Sequence, residues 1–309
     1  DFIFRKFIPE VVIASSTYPL DIFPARKISR RFSAKLIFEV HDLWPLSPIE
    51  LGDFSKYNPL MALFQWAENY YCRHAGKVVS ILPNTLPYLE EHGLAKEKFV
   101  HVPNGVVIQN ESAESLSAGE KQQIDEFSGR YKFIIGYAGA HGKANDLESF
   151  ISALELLRDQ GIAGVLIGKG NEKEALKAIV QRKKLENVLF LEPVRKNRIA
   201  SLLKEFDALY IGLMNRPLFR FGLSPNKLFD YMLAGKPIIH AINSDWNLVE
   251  KAHCGVSCQA GDPDSIAHAI ITLSSMSPEE RIKRGENGFF YVRTNHSYEY
   301  LANKFLKAL

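Results

Sequence analysis

The chain has 309 residues, of which 46% are hydrophobic, and a formal net charge of +3. That length favours two medium-sized domains, and so mild a basic excess argues against a dedicated nucleic-acid binder. No apolar run approaches the roughly 18 residues that a membrane-spanning helix needs.

In chain order, short apolar runs at 11–14, 36–40, 78–82, 100–103, 133–137, 165–168, 188–191, 208–213, 237–241 and 255–258 alternate with amphipathic segments. Many are rich in Val and Ile and bounded by Gly or Pro. The pattern predicts parallel strands joined by crossover helices, an α/β fold. After Asn145, the residues Leu147, Phe150, Ile151, Leu154 and Leu157 share one helical face, which should be buried. The segment 108–130 is polar and carries no strand signal, so it reads as an interdomain linker with a short helix. The last stretch, 278–309, is helical in pattern. The N-terminal residues lack the ordered regions of a signal peptide. Cys72, Cys254 and Cys258 have no zinc spacing, and so few thiols fit a reduced, cytoplasmic compartment.

In the first half, Arg26, Lys27, Arg30 and Arg31 form a basic stripe at helical spacing, with Lys35 close behind. It is either a solvated helix face or a contact for anionic lipid or a lipid diphosphate. The run 38–45, FEVHDLWP, ends a buried strand in the pair His41-Asp42. In open parallel sheets ligands bind beside that edge. Asp42 reads as the cap of the following turn. Asn104-Gly105 reads as a turn at the side of the cleft.

The second half holds the more telling stretch, FGLSPNKLFDYMLAGKPIIHA at 221–241. Ser224 is a good N-cap, Pro225 suits the first helical position, and Gly235 suits the residue after the helix. Lys227 then falls in the first turn, where the helix dipole alone would prefer an acid. That mismatch points to an anionic ligand at a bared helix start. Asp230 lies three residues beyond Lys227 and four beyond Asn226, so the three can share a face. Phosphates near Lys227 and a ribose near Asp230 would match a nucleotide diphosphate. Upstream, Gly136, Gly139 and Gly142 allow backbone to approach a ligand closely, though their spacing is not the dinucleotide fingerprint. Lys143 in that loop is open to either solvent or ligand. Asp262-Pro263-Asp264 reads as a helix cap and not as a metal site.

These motifs resemble the family-4 glycosyltransferases, retaining enzymes of the two-lobed GT-B fold, and most of all a subgroup that builds bacterial surface polysaccharides. The run SPNKLFDYMLAGKP at 224–237 carries the likeness, supported by VPNGV at 102–106. It covers nearly all of the chain but starts at about the family's third strand, so the chain reads as incomplete at its start. The resemblance implies two Rossmann-like, doubly wound parallel-sheet lobes facing a cleft. Their expected bounds are an acceptor-side lobe at 1–107, a linker at 108–130, a nucleotide-sugar lobe at 131–290, and a C-terminal helix at 291–309 that packs back on the first lobe.

The resemblance also implies roles. His41 would meet the donor sugar or leaving phosphate, and Lys227 would stabilise the leaving diphosphate. Gly139, Gly142, Lys143, Ser224, Asn226 and Arg220, with Arg216, would surround the phosphates. Lys169 and Val194 would lie at the base, and Asp230 would hold the ribose. Asp230 takes the second place of the family's Glu-x7-Glu pattern. The first falls on Gly222, which puts the sugar contacts in doubt.

The implied activity is transfer of a sugar from a nucleotide diphosphate sugar, UDP-linked by preference, to a saccharide or polyprenyl-diphosphate-linked acceptor. No metal and no permanent cofactor is expected. The expected location is the cytoplasm, with peripheral contact on the inner face of the plasma membrane. The alternatives are a nucleotide-sugar 2-epimerase of the same fold, which would want several acids and histidines around the sugar where only His41 and His141 stand in suitable loops, or a nucleotide-binding protein without turnover.

Overall fold

A computed structural model describes residues 7–52, 54–108 and 114–309. Residues 109–113 of the expected linker lie outside the described residues. Every predicted apolar run falls on a strand. These are β1 (Val11–Ser16), β2 (Lys35–Val40), β3 (Lys77–Ser80), β4 (Phe99–His101), β5 (Phe133–Ala138), β6 (Ile162–Ile167), β7 (Val188–Leu191), β8 (Ala208–Gly212), β9 (Ile238–Ala241) and β10 (Gly255–Cys258).

All the strand pairs are parallel. They form two sheets, one in the order β1-β2-β3-β4 and one in the order β10-β9-β8-β5-β6-β7. The chain is thus α/β with two parallel-sheet lobes. β5 and β6 are buried at every residue because helices cover both faces of the second sheet. One covering helix, Leu147–Leu156, buries Leu147, Phe150, Ile151 and Leu154 as its periodicity predicts. The order of the second sheet reverses between β5 and β8, and a crevice opens beyond the carboxyl ends of strands at such a point.

The first lobe does not complete its core alone. Leu218, Phe219 and Phe221 pack into it beside Phe38, Tyr71 and Leu89. They come from the short 3₁₀ helix Pro217–Phe221, which follows β8 of the second lobe. Two polar contacts fasten it further. The Arg220 guanidinium makes a paired contact with Glu50, both bonds 3.0 Å, and the Asn84 N–H donates to the Phe221 carbonyl at 3.0 Å.

The polar stretch 108–130 contains the helix Ala118–Ser128, opened by a Ser117/Glu120 capping box. Ile124 and Phe127 are buried in the core of the second lobe, so this helix belongs to that lobe's packing. Two apolar residues three apart suffice to dock it, too few to register as a periodic pattern. At the other end, the helices Pro278–Asn295 and Tyr298–Leu306 are separated by His296 and Ser297. Leu301 of the last helix is buried against Ile37, Val79 and Val102 of the first lobe. Asp262 caps the helix Pro263–Ser274, accepting from the N–H groups of Asp264 and Ser265 at 3.1 and 3.3 Å.

Candidate active site

The helix after the 3₁₀ plug runs Asn226–Leu233, and Gly235 follows it in the left-handed region at φ 69°. Its start corrects the expectation for Ser224. Pro225 occupies the N-cap in an extended conformation and no side chain caps the helix. The Ser224 hydroxyl is engaged elsewhere, accepting from the Asn104 N–H at 2.8 Å, while the Asn104 side-chain amide donates to the Ser224 carbonyl at 2.7 Å. Ser224 therefore ties the helix to the first lobe instead of capping it. The Leu228 N–H turns back to the Pro225 carbonyl. With no side-chain cap, the start of the helix can receive an anion.

Lys227 is half-buried, and the loss of solvent around its ammonium lowers its pKa to about 8. Its ammonium donates to the Tyr137 hydroxyl at 3.1 Å and to the Asn145 side-chain oxygen, and lies 4.9 Å from the centre of the Tyr137 ring. Tyr137 and Asn145 are fixed in turn by the Ala140 carbonyl, at 2.7 and 3.0 Å. All these partners are neutral. A half-buried ammonium without a carboxylate carries a desolvation cost that an arriving anion would offset.

A cavity of about 360 Å³ opens beside Lys227. Gly139, Gly168, Lys169, Pro193, Val194 and Asp230 contribute to its walls, bringing together five of the expected residues: Gly139, Lys169, Val194, Lys227 and Asp230. It lies beyond the carboxyl ends of β5, β6 and β7, on the β5 side of the reversal in strand order, with the helix that follows β8 closing it. Gly168, at φ 147°, lets two loops touch there: a β-carbon on it would sit 1.9 Å from the Gly139 carbonyl oxygen. Solvent reaches Asp230, yet protein crowds its carboxyl enough to raise the pKa, an effect that Lys196 partly offsets.

The other expected residues lie apart from this cavity. Asn226 and Lys143 are exposed, and Gly142 precedes the turn Lys143–Asn145. Arg220 is committed to Glu50 in this structure. His141 is fully buried with both ring nitrogens unpartnered, and burial lowers its pKa to about 4. It cannot face a sugar, which removes one of the two histidines an epimerase was expected to use.

His41 stands at the end of β2 in the first lobe. Its Nε2 lies 3.1 Å from the Ser15 hydroxyl and 3.7 Å from Glu39, and the Glu39 carboxylate raises its pKa. Asp42 accepts from the Ser47 hydroxyl at 3.0 Å, as expected of a turn-capping acid. Gly222 adopts φ 82°, and a β-carbon on it would sit 2.4 Å from Pro83 of the first lobe. The place of the missing acid is thus a lobe contact that only glycine fits.

Sequence reading missed Tyr137, Asn145 and Tyr231. Tyr231 reaches back to bond both the N–H and the carbonyl of Ala138, at 2.8 and 3.1 Å. Nothing in an apolar run marks an aromatic whose hydroxyl serves a site.

Two family models cover most of the chain. One, described as a glycosyl transferase 4-like domain, matches residues 2–105, and the other, glycosyl transferases group 1, matches residues 132–276. Among curated proteins, WbjE of Pseudomonas aeruginosa, described as a probable glycosyltransferase, is 23% identical over 301 residues, spanning 91% of this chain and 72% of WbjE. WcaI of Escherichia coli K12, whose name ties it to colanic acid biosynthesis, is 29% identical over 119 residues, 38% of this chain and 29% of WcaI. Among solved structures, Anabaena HepE in complex with UDP and glucose superposes with a TM-score of 0.71 at 16% identity, covering 96% of this chain and 76% of HepE. Sucrose-phosphate synthase from Thermosynechococcus elongatus gives a TM-score of 0.75 at 15% identity, covering 96% and 72%. With both lobes matched, the chain is a glycosyltransferase of the GT-B type.

Proposed function

We propose that this chain moves a sugar from a UDP-sugar to a saccharide or lipid-linked saccharide acceptor, with retention of anomeric configuration, as a step of surface-polysaccharide synthesis. One observation carries the donor half: Lys227, a half-buried ammonium with neutral partners at an uncapped helix start, faces a cavity that also holds Asp230. The UDP bound in HepE supports the choice of base. The colanic acid in the name of WcaI supports the polysaccharide role.

On this reading the base lies between Gly168-Lys169 and Pro193-Val194, and the ribose hydroxyls donate to Asp230. The diphosphate meets Lys227, the helix start and the Gly139 backbone. As the bond from the anomeric carbon to the diphosphate oxygen breaks, charge grows on that oxygen, and Lys227 with the helix dipole stabilises it. The acceptor oxygen bonds to the anomeric carbon on the same face. Its proton passes to the departing phosphate oxygen, so no protein base is needed. His41 faces the sugar from the first lobe when the lobes close. The positive charge comes from Lys227 and the helix, and no resident metal enters this reading.

Gly222 favours a second reading. It stands where the family carries a sugar-facing acid, and a protein that binds nucleotide without turnover would also lack that acid. Incubation with UDP-glucose, UDP-galactose and their N-acetyl forms, with a polyprenyl-diphosphate-linked saccharide as acceptor, separates the two. Release of UDP with formation of an axial product linkage supports transfer with retention. An inverted linkage overturns retention, and UDP binding without release favours the second reading.

The same reading places the protein at the cytoplasmic face of the membrane, where a lipid-linked acceptor would be. No helix among the described residues is long and apolar enough to cross a membrane. Lys27, Arg30 and Lys35 are exposed in the first lobe, as are Tyr57, Leu60, Leu63 and Trp66. Trp66 stacks on Phe23 of the basic helix Ile22–Phe32, which sets apolar and cationic groups side by side. Such a face suits anionic lipid, at about 1 kcal/mol per cation near the surface.

A further inference from the structure

Lys173 opens the helix Lys173–Arg182, and its residue is only 6% exposed. A cation at a helix start opposes the dipole, and its burial adds a desolvation cost. The side chain is held by three acceptors. Its ammonium donates to the Gly168 carbonyl at 2.8 Å, to the Leu191 carbonyl at 3.0 Å and to the Glu192 carboxylate at 2.8 Å. A lysine has three donors, so all are used.

The two carbonyls sit where β6 and β7 deliver their loops. Gly168 leads into Lys169 on one wall of the cavity, and Leu191 leads through Glu192 into Pro193 and Val194 on another. One ammonium therefore spans both walls. The backbone adds a second tie on the first wall only, where the His141 N–H donates to the Lys169 carbonyl at 2.9 Å and the Glu172 N–H to the His141 carbonyl at 3.0 Å. The β6 and β7 ladder pairs the walls as far as Ile167 and Leu191, and past it the Gly168 N–H reaches the Leu191 carbonyl only at 3.4 Å. An apolar residue in place of Lys173 could fill the space but would leave both carbonyls without this shared donor beyond the end of the ladder.

We propose that Lys173 is a positioning residue that sets the width of the base end of the nucleotide cavity, and thereby its choice among nucleobases. It touches neither the sugar nor the phosphates, and acts through Gly168 and Leu191. The inference rests on the donor-site reading above.

The test is calorimetric titration of wild type, K173M and E192Q with UDP, GDP and inorganic pyrophosphate, together with donor kinetics. Wild type should prefer UDP over GDP. K173M should weaken UDP by about tenfold or more and narrow the UDP-to-GDP preference, while pyrophosphate affinity stays within about twofold. Donor KM should rise while kcat changes by less than about threefold. E192Q keeps both carbonyl bonds and should shift UDP affinity by no more than about threefold. Should K173M not fold, K173R is read the same way, since it keeps the charge on a wider planar head. Unchanged UDP affinity in the Lys173 variants, or equal losses for UDP and pyrophosphate, would overturn the inference alone. Failure of wild type to bind UDP would overturn the donor-site reading and this inference with it.

Discussion

Asn104 and Ser224 hold each other across the two lobes: the Asn104 N–H donates to the Ser224 hydroxyl and the Asn104 amide donates to the Ser224 carbonyl. The pair sits just ahead of the donor helix, so the position of that helix is referred to the first lobe as well as the second. S224A leaves the Asn104 N–H without its partner, at a cost of about 1–3 kcal/mol. The melting temperature should fall by several degrees, and donor KM should rise. Unaltered melting and kinetics in S224A would show that the contact carries no weight.

Restoring an acid at Gly222 should harm the protein. The backbone there is left-handed and any β-carbon meets Pro83. G222E should destabilise by about 1–3 kcal/mol from the backbone alone, and more from the clash. Thermal unfolding reads the loss, and sugar transfer should not improve. A stable and more active G222E would contradict the lobe contact.

Lys227 gives a pH signature. Burial has lowered its pKa to about 8, well below the usual lysine value, so without ligand the folded state holds this proton less tightly than the unfolded state. Between about pH 8 and the ordinary lysine range the unfolded chain binds more protons, and stability should rise with pH. K227M removes this partly desolvated charge and should raise the melting temperature of the free protein below pH 8 while abolishing pyrophosphate binding. In wild type, diphosphate affinity should be greatest below pH 8 and decline above it. Titrations at pH 7 and pH 9 compare the two regimes, and a flat profile would argue that Lys227 does not meet the phosphates.

Much of the fold was legible because central parallel strands are apolar on both faces. β5 and the second half of β6 read as apolar runs for that reason. The helix with Lys227 and Asp230 was legible because a lysine in a first turn contradicts the dipole. Lys173 shows the same contradiction, but its helix carries so many other charged residues that sequence alone does not set it apart. Ser224 misled because capping preference is local, and its hydroxyl was claimed by a residue 120 positions away. The 3₁₀ plug was invisible for a similar reason: Leu218, Phe219 and Phe221 have no period of their own and are apolar because another lobe receives them.

Membrane contact is tested with the exposed cations. Reversing two of them, K27E and R30E together, should reduce sedimentation with phosphatidylglycerol vesicles by about tenfold while leaving UDP affinity intact. Equal sedimentation of variant and wild type would remove the basic helix from the account.

On the proposed reading the cavity beside Lys227 holds a nucleotide diphosphate with its ribose on Asp230. Calorimetric titration with UDP, of wild type and D230A, tests it most directly. Wild type should bind with micromolar affinity, and D230A should lose about tenfold or more. Absence of binding by wild type, or binding that D230A leaves unchanged, would contradict it.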